Sequence, residues 1–181
     1  GTYTFTPAAN STSAVTLSYN ITDGTSVVAN SATVSVAAVN DAPVIGATTL
    51  TTVEDTPLTI TPALLNATDI ETAQGSLTVT GVTIVQGSGT YNSGTGVFTP
   101  AANFNGTVVL QVTVSDGSGG TSTQNVAVTV NAVNDAPTAV AASLSTSEDT
   151  PIVFTTAQLL GGSTDIDGNA LSISGTITPS S

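Results

Sequence analysis

Ala132-Val133-Asn134-Asp135-Ala136-Pro137 repeats, residue for residue, the stretch Ala38-Val39-Asn40-Asp41-Ala42-Pro43 that lies 94 residues before it. The surroundings repeat as well. Glu54-Asp55-Thr56-Pro57 returns as Glu148-Asp149-Thr150-Pro151 at the same interval, and Phe5-Thr6-Pro7-Ala8-Ala9-Asn10 returns as Phe98-Thr99-Pro100-Ala101-Ala102-Asn103 after 93 residues. A fixed period marks a tandem array, and this one has about the length of a β-sandwich domain. The Val-Asn-Asp-Ala-Pro stretches are then the joints. The division is 1–39 as the second half of a repeat, 40–133 as one complete repeat, and 134–181 as the first half of a further one.

Alternation supplies the fold class. Val15, Leu17, Tyr19 and Ile21 alternate with Thr16, Ser18 and Asn20; Val108, Leu110, Val112 and Val114 keep the same spacing in the later copy, with Val109, Gln111 and Thr113 between them, and Val126, Val128 and Val130 follow. Such period-two runs, rich in β-branched residues, are half-buried strands. They outweigh the disorder that low aromatic content and one-signed charge would favour. Strands are expected at 2–6, 14–21 and 31–36 in the first half repeat, and through Leu171 and Ile173 in the last. The complete repeat should hold seven: 41–54 as one long run, then 57–60, 76–85, 89–91, 96–99, 106–115 and 121–130. Helical turns are expected at 61–65 and 157–160. The expected fold is all-β, with seven-stranded sandwiches whose ends lie opposite one another and thread head to tail.

Composition removes most functions. The 181 residues include no Lys, Arg, His or Cys, against 12 carboxylates, for a net charge of −12. Nothing can neutralise a phosphate, which argues against nucleic acid, and an anionic membrane is disfavoured for the same reason. No apolar run is long enough to cross a bilayer. Imidazole, thiolate and amine chemistry are lost. Carboxylate pairs could serve a glycosidase, but these acids recur with the repeat, which fits structure better than one active site, so no enzyme is expected. A carbohydrate-binding module would want a row of exposed aromatics, and there are three Tyr and four Phe. Asn10, Asn20, Asn66 and Asn105 each begin an Asn-x-Ser/Thr pattern, which chance supplies readily in so Thr-rich a chain. The chain begins inside a repeat and without Met, and is read as a window onto a longer or processed polypeptide.

The acids fall in four repeating places: Asp23 and Asp116; Asp41 and Asp135; Glu54, Asp55, Glu148 and Asp149; Asp69, Glu71, Asp165 and Asp167. Following strand directions puts Asp41, Asp69, Glu71 and Asp116 at one end of the complete repeat. Glu54 or Asp55 lies at the other, beside Asp135, Asp165 and Asp167. Two unit charges ~5 Å apart at an effective dielectric of ~20 repel by about 3 kcal/mol. A compact joint therefore needs cations, and the side chains supply none. Hard oxygen donors suit Ca²⁺, which takes 6–8 oxygens. Taken singly, each acidic motif is also ordinary turn chemistry; their convergence is what points to a metal.

Together, Val-Asn-Asp-Ala-Pro, Glu-Asp-Thr-Pro, Leu-Leu-x-x-x-Asp-Ile and Phe-Thr-Pro-Ala-Ala-Asn resemble the cadherin-like tandem repeats of large bacterial surface adhesins of the RTX type. The resemblance spans the whole chain. It implies calcium between domains, held at the second joint by Glu54, Asn134, Asp135, Asp165 and Asp167, and at the first by Asn40, Asp41, Asp69, Glu71 and Asp116. There are departures. Ala132 stands where cadherins carry a linker Asp, Glu71 replaces an Asp, and the region 98–106 lacks the Asp-Arg-Glu motif, which implies fewer or weaker ions. The expected role is a calcium-stiffened extracellular extension or scaffold, secreted or on the cell surface. Its partners would be neighbouring repeats or copies of itself head to tail. The alternative is a filament subunit that polymerises by completing split sandwiches.

Overall fold

The structure, a computed structural model, describes residues 1–178. The last three residues of the stretch read as a half repeat, 179–181, lie outside it. The chain is all-β, and its elements are β1 (Val15–Thr22), β2 (Val27–Val34), β3 (Thr49–Val53), β4 (Leu58–Thr59), β5 (Thr78–Gln86), β6 (Gly89–Asn92), β7 (Val97–Pro100), β8 (Gly106–Ser115), β9 (Thr121–Asn131) and the single-turn helix α1 (Thr156–Leu159).

Residues 44–131 build a two-sheet sandwich. One sheet has the order β3-β9-β8-β5, the other β4-β7-β6. The inward residues of β8, Val108, Leu110, Val112 and Val114, are completely buried, as are Val126 and Val128 of β9. The opposite sheet meets them with Phe98, which pairs with Leu58 on one side and Tyr91 on the other. Each such burial contributes about 1.5–3 kcal/mol. The turn at 61–65 is tied by Leu65 N–H to the Thr61 carbonyl (3.0 Å) and drops Leu65 into the same core.

Two pairings set where the ends of the sandwich go. β3 runs parallel to β9, Thr49 opposite Ala127 through Val53 opposite Asn131, so Glu54 emerges beside the chain that leaves β9 for the second joint. At the far end the β8–β9 turn meets the first joint, where Ser122 Oγ donates to the Pro43 carbonyl. The run expected to be continuous from 41 to 54 is broken. Val44 bridges Thr68, and the strand resumes only at Thr49. Between them Gly46 passes so close to the 61–68 turn that a Cβ would lie 2.9 Å from the Asn66 carbonyl oxygen.

The flanking segments are less regular than expected. β1 and β2 form a hairpin with the register of β8–β9, Val15 opposite Val34 as Val108 is opposite Val128, though β2 starts and ends earlier than 31–36. The strands expected at 2–6 and through Leu171 and Ile173 are absent. The reason is a missing partner. In the complete repeat the matching strands β7 and β5 pair with β4, β6 and β8, and the flanking segments have no such neighbours beside them. The turn expected at 157–160 is α1, closed by a capping box in which Thr155 and Gln158 bond each other's backbone N–H, as Ser/Thr-x-x-Glu/Gln starts do.

Candidate metal centre

The second joint gathers carboxylates from both of its sides. Glu54, delivered by β3, is 3% exposed. Its Oε1 accepts from the Val133 N–H, while Oε2 is buried and has no hydrogen-bond partner. Asp135 comes from the joint itself. Its N–H donates to Asp167 Oδ2 at 2.7 Å, and its own Oδ2 is another buried oxygen with no partner. Oxygens of Glu54, Asp135 and Asp167 all lie within 4.8 Å of one another. Asp165 shapes the loop: its Oδ1 accepts from Asp167 N–H (3.0 Å) and Asn169 N–H (3.2 Å). Asn134 lies between them, donating to the Asp135 carbonyl (2.8 Å) and accepting from Asn169 Nδ2 (2.7 Å).

Buried carboxylate oxygens without donors are costly, and these converge from two repeats. Burial pushes the Asp135 carboxyl above the usual carboxylate range, and the nearby charges of Asp167, Glu54, Asp55 and Asp165 push it further. The donor set is all oxygen: carboxylates, the Asn134 amide and backbone carbonyls. That set fits a hard divalent cation of the calcium type.

The first joint repeats the scaffold with a looser grouping. Asp41 N–H donates to Glu71 Oε2 (3.2 Å), as Asp135 does to Asp167. Asp69 Oδ1 accepts from Glu71 N–H (3.0 Å) and Thr72 N–H (2.7 Å), and its Oδ2 is buried without a partner. Asn40 donates to the Asp41 carbonyl (3.1 Å) and to Asp116 Oδ2 (2.6 Å). Asp116, 5% exposed, also takes the Ser118 and Gly120 N–H groups. The Asn40 amide, with those backbone donors, holds its carboxyl below the usual range. Among the described residues, no three acids of this joint come as close as the second joint's triad. Gly120 is required here: a Cβ would run into Asp116 Oδ2 and lie 2.7 Å from the Asp41 carbonyl oxygen.

Two participants, Asn103 and Asn169, escaped the sequence reading, which offered a third, Asp55, only as the alternative to Glu54. Asp55 stands near enough to act on Asp135. Asn103 donates its N–H to Asp55 Oδ1 at 3.1 Å. Asn169 bonds Asn134 across the joint. The signal for Asn103 was in plain view, because it ends the repeated Phe-Thr-Pro-Ala-Ala-Asn motif.

No curated protein matches the chain. A family model described as a cadherin-like domain matches three consecutive segments, residues 1–37, 39–131 and 133–181, whose boundaries fall at the two Val-Asn-Asp-Ala-Pro joints. With a two-sheet sandwich between joints and acids from successive repeats meeting at the second of them, the chain is a structural repeat array and belongs to the cadherin-like domain family.

Proposed function

We propose that these residues are a calcium-stiffened stretch of an extracellular bacterial surface adhesin or fibre, acting as an extension or scaffold rather than as the adhesive tip. The observation behind this reading is Glu54: a carboxylate 3% exposed, one oxygen without a donor, facing Asp135 and Asp167. Without a cation, these like charges push the two repeats apart. With one, they become its ligands, and the joint stiffens. Calcium at millimolar concentration outside the cell matches weak all-oxygen sites, whose Kd is typically about 10⁻⁴–10⁻³ M. No helix of the described residues is long and apolar enough to cross a membrane. Calorimetric titration of the chain with calcium to 10 mM tests the reading. Binding in that range supports it, and the absence of binding at either joint rejects it.

The partner in this reading is a neighbouring repeat, from the same polypeptide or from another copy head to tail. The β1–β2 hairpin favours it. Leu17, Tyr19 and Ile21 are 39%, 46% and 53% exposed, whereas their counterparts Leu110, Val112 and Val114 in the same register are fully buried. Leu144, Ile152 and Phe154, the counterparts of Leu50, Leu58 and Ile60, are likewise exposed. An early-half segment of a repeat laid on the hairpin would bury both sets. Sedimentation of the chain between micromolar and millimolar concentration tests the version in which copies complete one another, the filament subunit. A mass that stays that of one chain rejects that version.

A further inference from the structure

The Pro-Ala-Ala-Asn loop has no acid, yet both copies reach a joint. Pro7, Ala8 and residues 10–12 border a cleft with 36–39, Asp41 and Glu71. In the second copy Asn103 borders one with Asp135, Ala136, Thr138, Thr164 and Ile166. In both copies the Asn is left-handed, at φ 59° for Asn10 and 55° for Asn103. Asn visits that region at little cost, so the conformation alone means little. Its use lies in what it aims. Asn103 N–H donates to Asp55 Oδ1 at 3.1 Å, and Asp55 is itself left-handed, φ 56°, as is its counterpart Asp149 at 57°. Among the described residues this is the one hydrogen bond that the Asp55 carboxylate makes.

We propose that Asn103 is a positioning residue of the second joint: its left-handed backbone pins one oxygen of Asp55, so that the other is presented to a calcium ion beside Glu54, Asp135 and Asp167. The inference rests on the calcium reading above and adds one acid and its support to it. The ligand is pointed to independently by Glu54 Oε2, buried and without a donor. Asn103, which holds Asp55, lines one cleft with Asp135, so the two acids border a common site. The loop thus brings in a carboxylate from the turn after β3 without contributing one of its own. One hydrogen bond fixes its direction, as outer-shell partners fix ligating carboxylates generally.

The test is calcium titration of the full chain followed by amide NMR, in which the two joints report separately. Asn103→Val puts a β-branched residue where φ is positive, which such residues strongly resist. It should weaken calcium at the second joint by roughly tenfold, the low end of outer-shell effects, and leave the first joint unchanged. Asn103→Gly keeps both the N–H and the left-handed backbone and should bind like the wild type. Asp55→Ala should weaken the second joint similarly, and adding Asn103→Val to it should change nothing more, because the two act as one unit. Equal loss in Asn103→Gly and Asn103→Val, additive losses in the double variant, or unchanged binding in Asp55→Ala each overturn the proposal while leaving calcium at the joint intact. A wild-type chain that takes no calcium overturns the calcium reading itself, and this inference with it.

Discussion

Glu54→Gln should stabilise the chain without calcium and lose about half of what calcium adds. The substitution keeps the Oε1 that accepts from Val133 N–H and removes the charge from a side chain 3% exposed. A buried oxygen without a donor costs about 1–3 kcal/mol, and more when charged. Replacing it by an amide nitrogen, which can donate to Asp135 or Asp167, should recover at least the low end of that. For a domain of this size about 1 kcal/mol raises Tm by about 4–8 °C, so in EDTA the variant melts higher than the wild type. Calcium should benefit the wild type more. At 10 mM calcium and a Kd of about 10⁻⁴ M, binding stabilises the wild type by about 2.7 kcal/mol. Losing a charged ligand weakens binding by at least roughly tenfold, judged by what outer-shell losses do, which leaves about 1.4 kcal/mol. The assay is thermal unfolding of both proteins in EDTA and in 10 mM calcium. A variant that melts lower in EDTA, or whose gain from calcium equals that of the wild type, refutes the reasoning.

Asp165→Ala should weaken calcium at the second joint alone and Asp69→Ala at the first alone, since each shapes a separate loop; calorimetry showing either variant losing both joints contradicts the assignment. Asn40→Ala removes the amide chiefly responsible for lowering the Asp116 carboxyl. A lowered carboxyl adds stability that is present above its unfolded value, near 3.8, and is lost as pH falls through the folded value. The variant should therefore show a higher Asp116 pKa by NMR and acid unfolding that begins at higher pH. Phe98→Ala leaves a cavity at a fully buried site between Leu58 and Tyr91 and should cost about 3–5 kcal/mol in urea unfolding, against no loss if the two sheets do not share this core.

The core was legible because its signal is local. Alternation alone gives Val108 to Val114 and Val126 to Val130, and the structure buries them all. That Glu54 stands by Asp135 was legible from strand directions, and the parallel pairing of β3 with β9 is what brings it there. What failed was whatever depends on a partner elsewhere. Residues 2–6 and 171–173 have strand patterns, but a strand exists only where another lies beside it. The break at Gly46 follows from its contact with Asn66, 20 residues on. The tie between Asn103 and Asp55 joins residues 48 apart, and no periodicity carries that information; only the identity of the repeated motif pointed to it.

Small-angle scattering of the chain in EDTA and in millimolar calcium tests the stiffening of the joints most directly, with far-UV circular dichroism and limited proteolysis on the same samples. If Glu54, Asp135 and Asp167 hold a cation between repeats, calcium gives a longer, more rigid particle. EDTA then gives one more compact on average and more readily cut near Asn134 to Pro137, with dichroism nearly unchanged because the sandwich core needs no metal. Scattering curves that superimpose in the two conditions would contradict it.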